Sequence, residues 1–190
     1  MKQQALPFHG GPRPNSGRPT TGRTSHDARP RFDKATPVHV TMRMRWNVWN
    51  LRSRRCYRLI HACFLKARGR FAARLIEYSV QGNHLHLIIE ADDSGALTKA
   101  MQGLAIRIAK ALNSLMERAG SVFDDHYFSR LLKTPTELVR AIRYVLQNHA
   151  HHYGHQGADP FSSATDRTVL EPPRGWLLRE GWKRVASPAG

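Results

Sequence analysis

The stretch RLIEYSVQGNHLHLIIE, residues 74–90, contains two short apolar runs with a turn signal between them. Both runs include β-branched or aromatic residues, which favour strands, and Gln81-Gly82-Asn83 favours a turn. This stretch therefore predicts two antiparallel strands, Arg74 to Val80 and Asn83 to Glu90, that pair as a hairpin.

Strict alternation predicts another strand upstream of the hairpin, from Thr36 to Arg45. Successive side chains of a strand project to opposite faces. One face would carry the apolar set Val38, Val40, Met42 and Met44, and the other the polar set His39, Thr41, Arg43 and Arg45. We expect a half-buried strand with a cationic outer face.

Helical periodicity predicts three helices: Arg54–Arg68, Gly95–Arg118 and Pro135–Tyr153. Ser94 is expected to cap the second, and Thr134 with Glu137 forms a capping box at the start of the third. A further strand is expected over residues 126–133. The order β-α-β-β-α-β-α predicts an α+β sandwich, in which helices are layered on one face of a mostly antiparallel sheet.

The chain is strongly basic, with 30 Lys and Arg against 14 Asp and Glu and a formal net charge of +16. This imbalance favours a polyanionic partner, either nucleic acid or an anionic membrane surface. No apolar run approaches the ~20 residues that span a bilayer, and the first ten residues lack a signal core. Cys56 and Cys63 are too far apart on one helix for a disulfide. We expect a cytoplasmic, nucleoid-associated protein.

Composition divides the chain into three parts. Residues 1–35 are rich in Pro, Gly, Ser, Thr and Arg, which predicts a disordered basic arm. Residues 36–155 form the predicted domain. Residues 156–190 are expected to form a tail that packs back on it, with Trp176 and Trp182 as anchors.

The pair His84 and His86 is the first candidate functional feature. Alternation places both imidazoles on one face of the strand, where they could share a divalent ion. The competing interpretation is two half-exposed histidines on a solvated face. A structural zinc site would need further sulfur or histidine ligands, and both cysteines are misplaced for that role.

The last helix carries a second candidate set, on a different stripe from the apolar Leu138, Ile142 and Val145. Arg140, Tyr144 and Asn148 follow one another at steps of four, so they share one side of the helix. The amide of Asn148 could supply an oxygen ligand to magnesium or manganese. Ordinary packing at the helix boundary is the alternative for Tyr144.

Other basic or histidine side chains could also contribute. The residues expected to contact the phosphates of a nucleic acid are Arg43, Arg45, Arg130, Lys133 and Arg140. A histidine cluster at positions 149, 151, 152 and 155 could bind metal, or could simply favour the helix dipole.

Two of these motifs together resemble a known family. Asn83-His84-Leu85-His86-Leu87 resembles the HUH motif, histidine–hydrophobic–histidine, and the stretch from Leu131 through Asn148 is similar to the tyrosine helix of single-tyrosine HUH transposases. The resemblance is strongest to REP-associated tyrosine transposases and related small insertion-sequence transposases. It covers residues 36–155.

This resemblance implies a ferredoxin-like HUH sandwich and a metal-dependent DNA transposase. It implies Mg²⁺ or Mn²⁺ held by His84, His86 and Asn148, with Asn148 preferred over Gln147. Tyr144 would be the nucleophile on single-stranded or hairpin DNA, leaving a 5′-phosphotyrosine, and the protein would act as a monomer or homodimer. The alternative function is a non-catalytic, domesticated nucleic-acid-binding module.

Overall fold

The computed structural model describes residues 31–154 and 157–186, except for the side chains of 149–153 and 186. Residues 1–30 of the predicted arm therefore lie outside the described residues. Residues 31–35 are included, and Phe32 packs against the core while its N–H donates to the Ser94 hydroxyl at 3.1 Å. The packed chain thus begins before the predicted boundary at residue 36.

The chain forms four strands, four α-helices and a π-helical turn within the described residues. In chain order these are β1 (Thr36–Arg43), α1 (Arg54–Ala67), β2 (Ala73–Val80), β3 (His84–Ala91), α2 (Ser94–Leu115), β4 (Phe128–Leu131), α3 (Pro135–Tyr153), the π-helical turn (Leu177–Gly181) and α4 (Lys183–Ala186). No helix among the described residues is long and apolar enough to cross a membrane.

The four strands form one antiparallel sheet in the order β2-β3-β1-β4. The predicted α+β fold and the β2–β3 hairpin are confirmed. β1 is an inner strand between β3 and β4, and Arg43 pairs with His84 and Thr41 with His86 across its β3 neighbour. Across the other neighbour, His39 pairs with Arg130.

One face of the sheet is apolar and packs against α1 and α2. Its buried side chains are Val38, Val40, Met42, Leu85, Leu87 and Ile89 from the strands, and Ile60, Phe64, Met101, Leu104, Ile108 and Leu112 from the helices. Cys56 and Cys63 lie in the same core as free thiols. This face contains most of the hydrophobic core.

The opposite face packs against α3, so the helices cover both faces and the expectation of one covered face was wrong. A second apolar cluster joins Ile76, Ile88, Leu132, Leu138, Val145 and Leu178. The physical reason lies in the run Leu87-Ile88-Ile89: all three side chains are apolar, and alternation sends Ile88 to the opposite face from its neighbours.

Capping bonds fix where the helices begin. The capping box of α3 is confirmed, because Glu137 N–H donates to Thr134 Oγ1 and Thr134 N–H donates to Glu137 Oε2, both at 3.2 Å. The predicted cap of α2 was wrong by one residue. The Asp93 carboxylate accepts the Ala96 N–H at 2.7 Å, whereas the Ser94 hydroxyl donates to the Phe32 carbonyl.

The C-terminal segment is attached through apolar and polar groups, and Val169 and Leu178 are buried in the two apolar clusters. Val80 N–H donates to the Phe161 carbonyl at 2.9 Å, which covers the outer edge of β2, and Arg52 forms a 2.9 Å ion pair with buried Asp159. Trp176 and Trp182 are 52% and 39% exposed, so their predicted role as anchors was wrong.

The buried carboxylate of Glu90, near the end of β3, makes a second attachment. It accepts the backbone N–H groups of Arg174 and Gly175, both at 2.7 Å, and the Arg74 guanidinium at 2.8 Å. Carboxylate and amide hydrogen bonds therefore hold the segment together with the buried Val169 and Leu178, in place of the predicted tryptophans.

Candidate active site

His84 and His86 lie at the start of β3 and share one face of the sheet, as their alternation predicts, and α3 packs on that face. Their ring centroids are 4.7 Å apart and the rings are nearly perpendicular, at 87°. His86 is buried and His84 is half-buried. Nδ1 of His84 lies 2.9 Å from the side-chain oxygen of Asn83, which restricts the rotation of this ring.

Two residues of β1 contact His86 and were not recognised as site residues. His39 Nε2 and Thr41 Oγ1 each lie 3.2 Å from His86 Nδ1. An imidazole whose Nδ1 donates a hydrogen bond carries its lone pair on Nε2, the form that binds metals. The signal for this contact is the pairing of Thr41 with His86, which no local pattern reveals.

His39 does not contribute to a cationic face. Burial, helped by the positive charge of Arg130, lowers the pKa of His39 from 6.5 to about 4. The imidazole is therefore neutral at pH 7 and can serve as a hydrogen-bond partner of His86. The expected cationic outer face of β1 was wrong at this position.

α3 brings Tyr144 to the histidines. Its ring centroid lies 5.2 Å from that of His86 and 5.9 Å from that of His39, in edge-on arrangements at 81° and 69°. Tyr144 is 45% exposed, so a large molecule can reach the phenol from solvent. The strand pair and the helix thus place three imidazoles and a phenol together, with the phenol exposed at the surface.

Asn148, one turn after Tyr144, is buried, whereas Gln147 is exposed. The Nδ2 atom of Asn148 is buried and has no hydrogen-bond partner among the described residues. A carboxamide rotated by half a turn presents its oxygen at this position instead. A buried amide of this kind suits a hard divalent cation better than it suits an apolar core.

The donor types present, imidazole nitrogen and carboxamide oxygen, are ones that divalent metal ions accept. Across the described ranges, no three His, Cys, Asp or Glu side chains are close enough to hold a metal ion. A site at His84 and His86 would therefore need an oxygen donor of another type, and the buried amide of Asn148 is the candidate. The alternative cluster at His149, His151, His152 and His155 lies outside the described side chains.

Comparison with known proteins agrees with this arrangement of strand and helix. The family model described as "Transposase IS200 like" matches residues 36–148, which is more than half of the chain. The chain belongs to the IS200-like transposase family. A search of curated proteins finds no significant match.

Two solved structures are similar to this transposase. A REP-associated tyrosine transposase bound to a REP hairpin superposes with a TM-score of 0.61 and 13% identity, over 80% of this chain and 100% of the other. A candidate transposase of Deinococcus radiodurans R1 gives a TM-score of 0.44 and 10% identity, over 62% and 92% of the two chains. At this identity the first match shows the shared fold.

The predicted DNA-binding side chains of the transposase are all exposed, and two of them border the histidines. Arg43 pairs with His84 and Arg130 pairs with His39, so both lie on the site's side of the sheet. Arg130 also forms a 3.2 Å ion pair with Glu137. Arg45 follows β1, and Lys133 and Arg140 lie just before and within α3.

Proposed function

We propose that the transposase cleaves and rejoins single-stranded or hairpin DNA through Tyr144. The observation that carries this proposal is the 5.2 Å separation between the ring centroids of Tyr144 and His86, on the face of the sheet that packs against α3. A phenol attacks phosphorus as a nucleophile and becomes part of a phosphodiester, so the energy of the broken bond is kept for rejoining.

The chemical step is a transesterification. The Tyr144 oxygen forms a bond to phosphorus, the bond from phosphorus to the 3′-oxygen breaks, and that oxygen leaves as a 3′-hydroxyl after taking a proton. The downstream strand stays attached to the protein through a 5′-phosphotyrosine. Attack of a 3′-hydroxyl on this linkage reverses the step and frees Tyr144.

His84, His86 and Asn148 would hold a divalent cation, Mg²⁺ or Mn²⁺, beside the phenol. Such an ion, when bound, stabilises the negative charge that develops on the phosphoryl oxygens. His39 and Thr41 orient the imidazole of His86 by meeting its Nδ1, the usual way in which a protein fixes a ligating histidine.

The DNA strand would reach this face across exposed guanidinium and ammonium groups. Arg43, Arg45, Arg130, Lys133 and Arg140 would bind phosphates. Arginine suits this role because its planar fork donates two parallel hydrogen bonds to a phosphate. A hairpin partner is supported by the similar transposase, whose structure contains a REP hairpin.

The decisive experiment compares the wild type with Tyr144→Phe. Each protein is incubated with Mn²⁺ and 3′-labelled hairpins from repeats around its own gene, then separated on a denaturing gel. We expect the label to migrate with the wild-type protein and never with the variant, because phenylalanine keeps the ring and removes the attacking oxygen. DNA affinity should stay within a few-fold.

Two outcomes would contradict the proposal. An adduct that persists in Tyr144→Phe would place the nucleophile elsewhere, with Tyr127 as the next candidate. An adduct missing from both proteins, on DNA that both bind, would favour a non-catalytic nucleic-acid-binding module.

A further inference from the structure

The loop between β1 and α1 carries two exposed tryptophans. Trp46 is 92% exposed and Trp49 is half exposed. A large aromatic side chain left in water gives up the free energy that burial would provide. Two such side chains three residues apart on one loop indicate a surface that contacts another molecule.

Backbone hydrogen bonds fix this loop in place. Met44 N–H donates to the Asn83 carbonyl at 2.8 Å, and Leu51 N–H donates to the Gly82 carbonyl at 2.9 Å. The Leu51 side chain is fully buried. Trp46 therefore projects from a loop that is held at both ends, so its binding would cost little ordering entropy.

The same hydrogen bonds place the loop next to the candidate active site. Gly82 and Asn83, which receive them, immediately precede His84 in the chain. Asn83 also contacts the His84 ring through its side chain, at 2.9 Å. A DNA strand whose scissile phosphate lies at the histidines would pass this loop within a few nucleotides of that phosphate.

The sequence that flanks the two tryptophans carries charge of one sign. Residues 43–58 contain six arginines and no acidic residue. Arg45, Arg54 and Arg55 are exposed, and none of them forms an ion pair with another described residue. These arginines flank the two tryptophans on the same loop and at its end, and basic and aromatic side chains together bind single-stranded nucleic acid.

The start of α1 supports an anionic partner independently. Helices favour acidic residues in the first turn, because the N-terminus carries partial positive charge. α1 instead begins with Arg54 and Arg55 and has no acidic residue in its first turn. This arrangement disfavours the isolated helix and becomes favourable when a phosphate binds there.

We propose that the loop from Arg45 to Arg55 is a stacking platform for the single-stranded DNA next to the scissile phosphate. Bases would stack on Trp46, with Trp49 as a second contact, while Arg45, Arg54 and Arg55 bind the adjoining phosphates. The platform rests on the proposed function and assigns it a substrate feature: unpaired nucleotides beside the cleavage point.

The test measures binding of the full-length protein to a fluorescein-labelled oligothymidine of about 16 nucleotides, since stacking tolerates any base. Trp46→Ala should weaken binding roughly tenfold or more, while Trp46→Phe keeps most of the affinity because a ring remains. DNA binding should also quench less of the tryptophan fluorescence in Trp46→Ala than in the wild type. An unchanged thermal midpoint would show that the fold is intact.

Trp176→Ala is the matched control. Trp176 is 52% exposed and is also beside cationic groups, with Arg184 at 4.9 Å over its ring. It lies next to Gly175, which is bound at the far end of β3 from the histidines. We expect this variant to bind the oligonucleotide like the wild type.

Three results would overturn the platform: wild-type affinity in Trp46→Ala, an equal loss in Trp176→Ala, or no binding of oligothymidine by the wild type. These outcomes are separate from failure of the proposed function. A wild type that binds through Trp46 and forms no Tyr144 adduct refutes the cleavage and keeps the platform. If the wild type forms the adduct and Trp46→Ala binds DNA with unchanged affinity, only the platform is refuted.

Discussion

The two faces of the sheet are made by alternate residues of the same strands, yet they differ in chemistry. In β3, Leu85, Leu87 and Ile89 enter the large core under α1 and α2. Their neighbours His84, His86 and Glu90 face the other way and make polar contacts. One strand thus supplies packing on one face and reactive groups on the other.

This difference separates stability from activity along a single strand. The face under α1 and α2 is closed and apolar, so its substitutions should act on the free energy of unfolding. The face under α3 combines a small apolar cluster with histidines and an exposed tyrosine. Substitutions of its polar residues should act on chemistry and leave most of the packing unchanged.

The largest effect is expected on the polar face. His84→Ala combined with His86→Ala should abolish metal-dependent cleavage, because both nitrogen ligands are removed. The unfolding free energy should fall by no more than about 2 kcal/mol, since few hydrogen bonds are lost. Gel assays with Mn²⁺ and urea unfolding measure the two quantities. If the double variant cleaved DNA at the wild-type rate, the metal site would not lie at these histidines.

The opposite pattern is expected one residue away. Leu87 is fully buried, so Leu87→Ala should lower the unfolding free energy by about 2–5 kcal/mol through lost burial and a cavity. The fraction of protein that stays folded should cleave DNA at the normal rate. A specific activity that falls while stability is unchanged would contradict the division between the faces.

His39 should give an intermediate effect that sharpens the comparison. His39→Ala removes a partner of His86 Nδ1, so the affinity for Mn²⁺ should fall about 10- to 100-fold, as for other residues that orient a ligand. Calorimetric titration with Mn²⁺ measures this affinity. His61→Ala is a matched control, because His61 lies on α1 with its own partner Asp166. It should bind Mn²⁺ like the wild type.

The smallest effect concerns Glu137, at the start of α3. The hydrogen bonds that its carboxylate accepts lower the pKa of Glu137, and the largest contribution comes from the Lys133 N–H. A lowered folded pKa gives stability that is present above the unfolded value of about 4.5 and is lost as pH falls through the folded value. Glu137→Gln should therefore cost about 0.5 kcal/mol at pH 7.

This cost should disappear in acid, and urea unfolding at several pH values would detect the change. The two proteins should converge in stability below the usual glutamate range, because the wild-type carboxyl is then protonated. A difference that stays constant with pH would mean that shape, and not charge, stabilises the cap.

Local signals predicted much of this molecule. The Gln81-Gly82-Asn83 turn, the alternation of β1 and the capping box of α3 each act within a few residues, and the structure confirms those elements. The convergence of the His pair with Tyr144 required only that α3 cover the face on which the histidines lie. Alternation fixes that face once the strand is known.

Long-range pairing explains what was missed. His39 and Thr41 reach His86 because β1 lies between β3 and β4, and this strand order is invisible in the sequence of any one strand. The same holds for the C-terminal segment. Its carboxylate and amide contacts with β2, β3 and the loop before α1 join residues far apart in the chain, and no local pattern reveals them.

The contacts of Glu90 also determine when the molecule can be finished during its synthesis. Two of the donors to this carboxylate, the amides of Arg174 and Gly175, are made 84 and 85 residues after it. A nascent chain whose β3 has just left the ribosome still lacks these amides. Contacts between residues this far apart in the chain form late. Completion of the fold therefore waits for the last part of the chain to be translated.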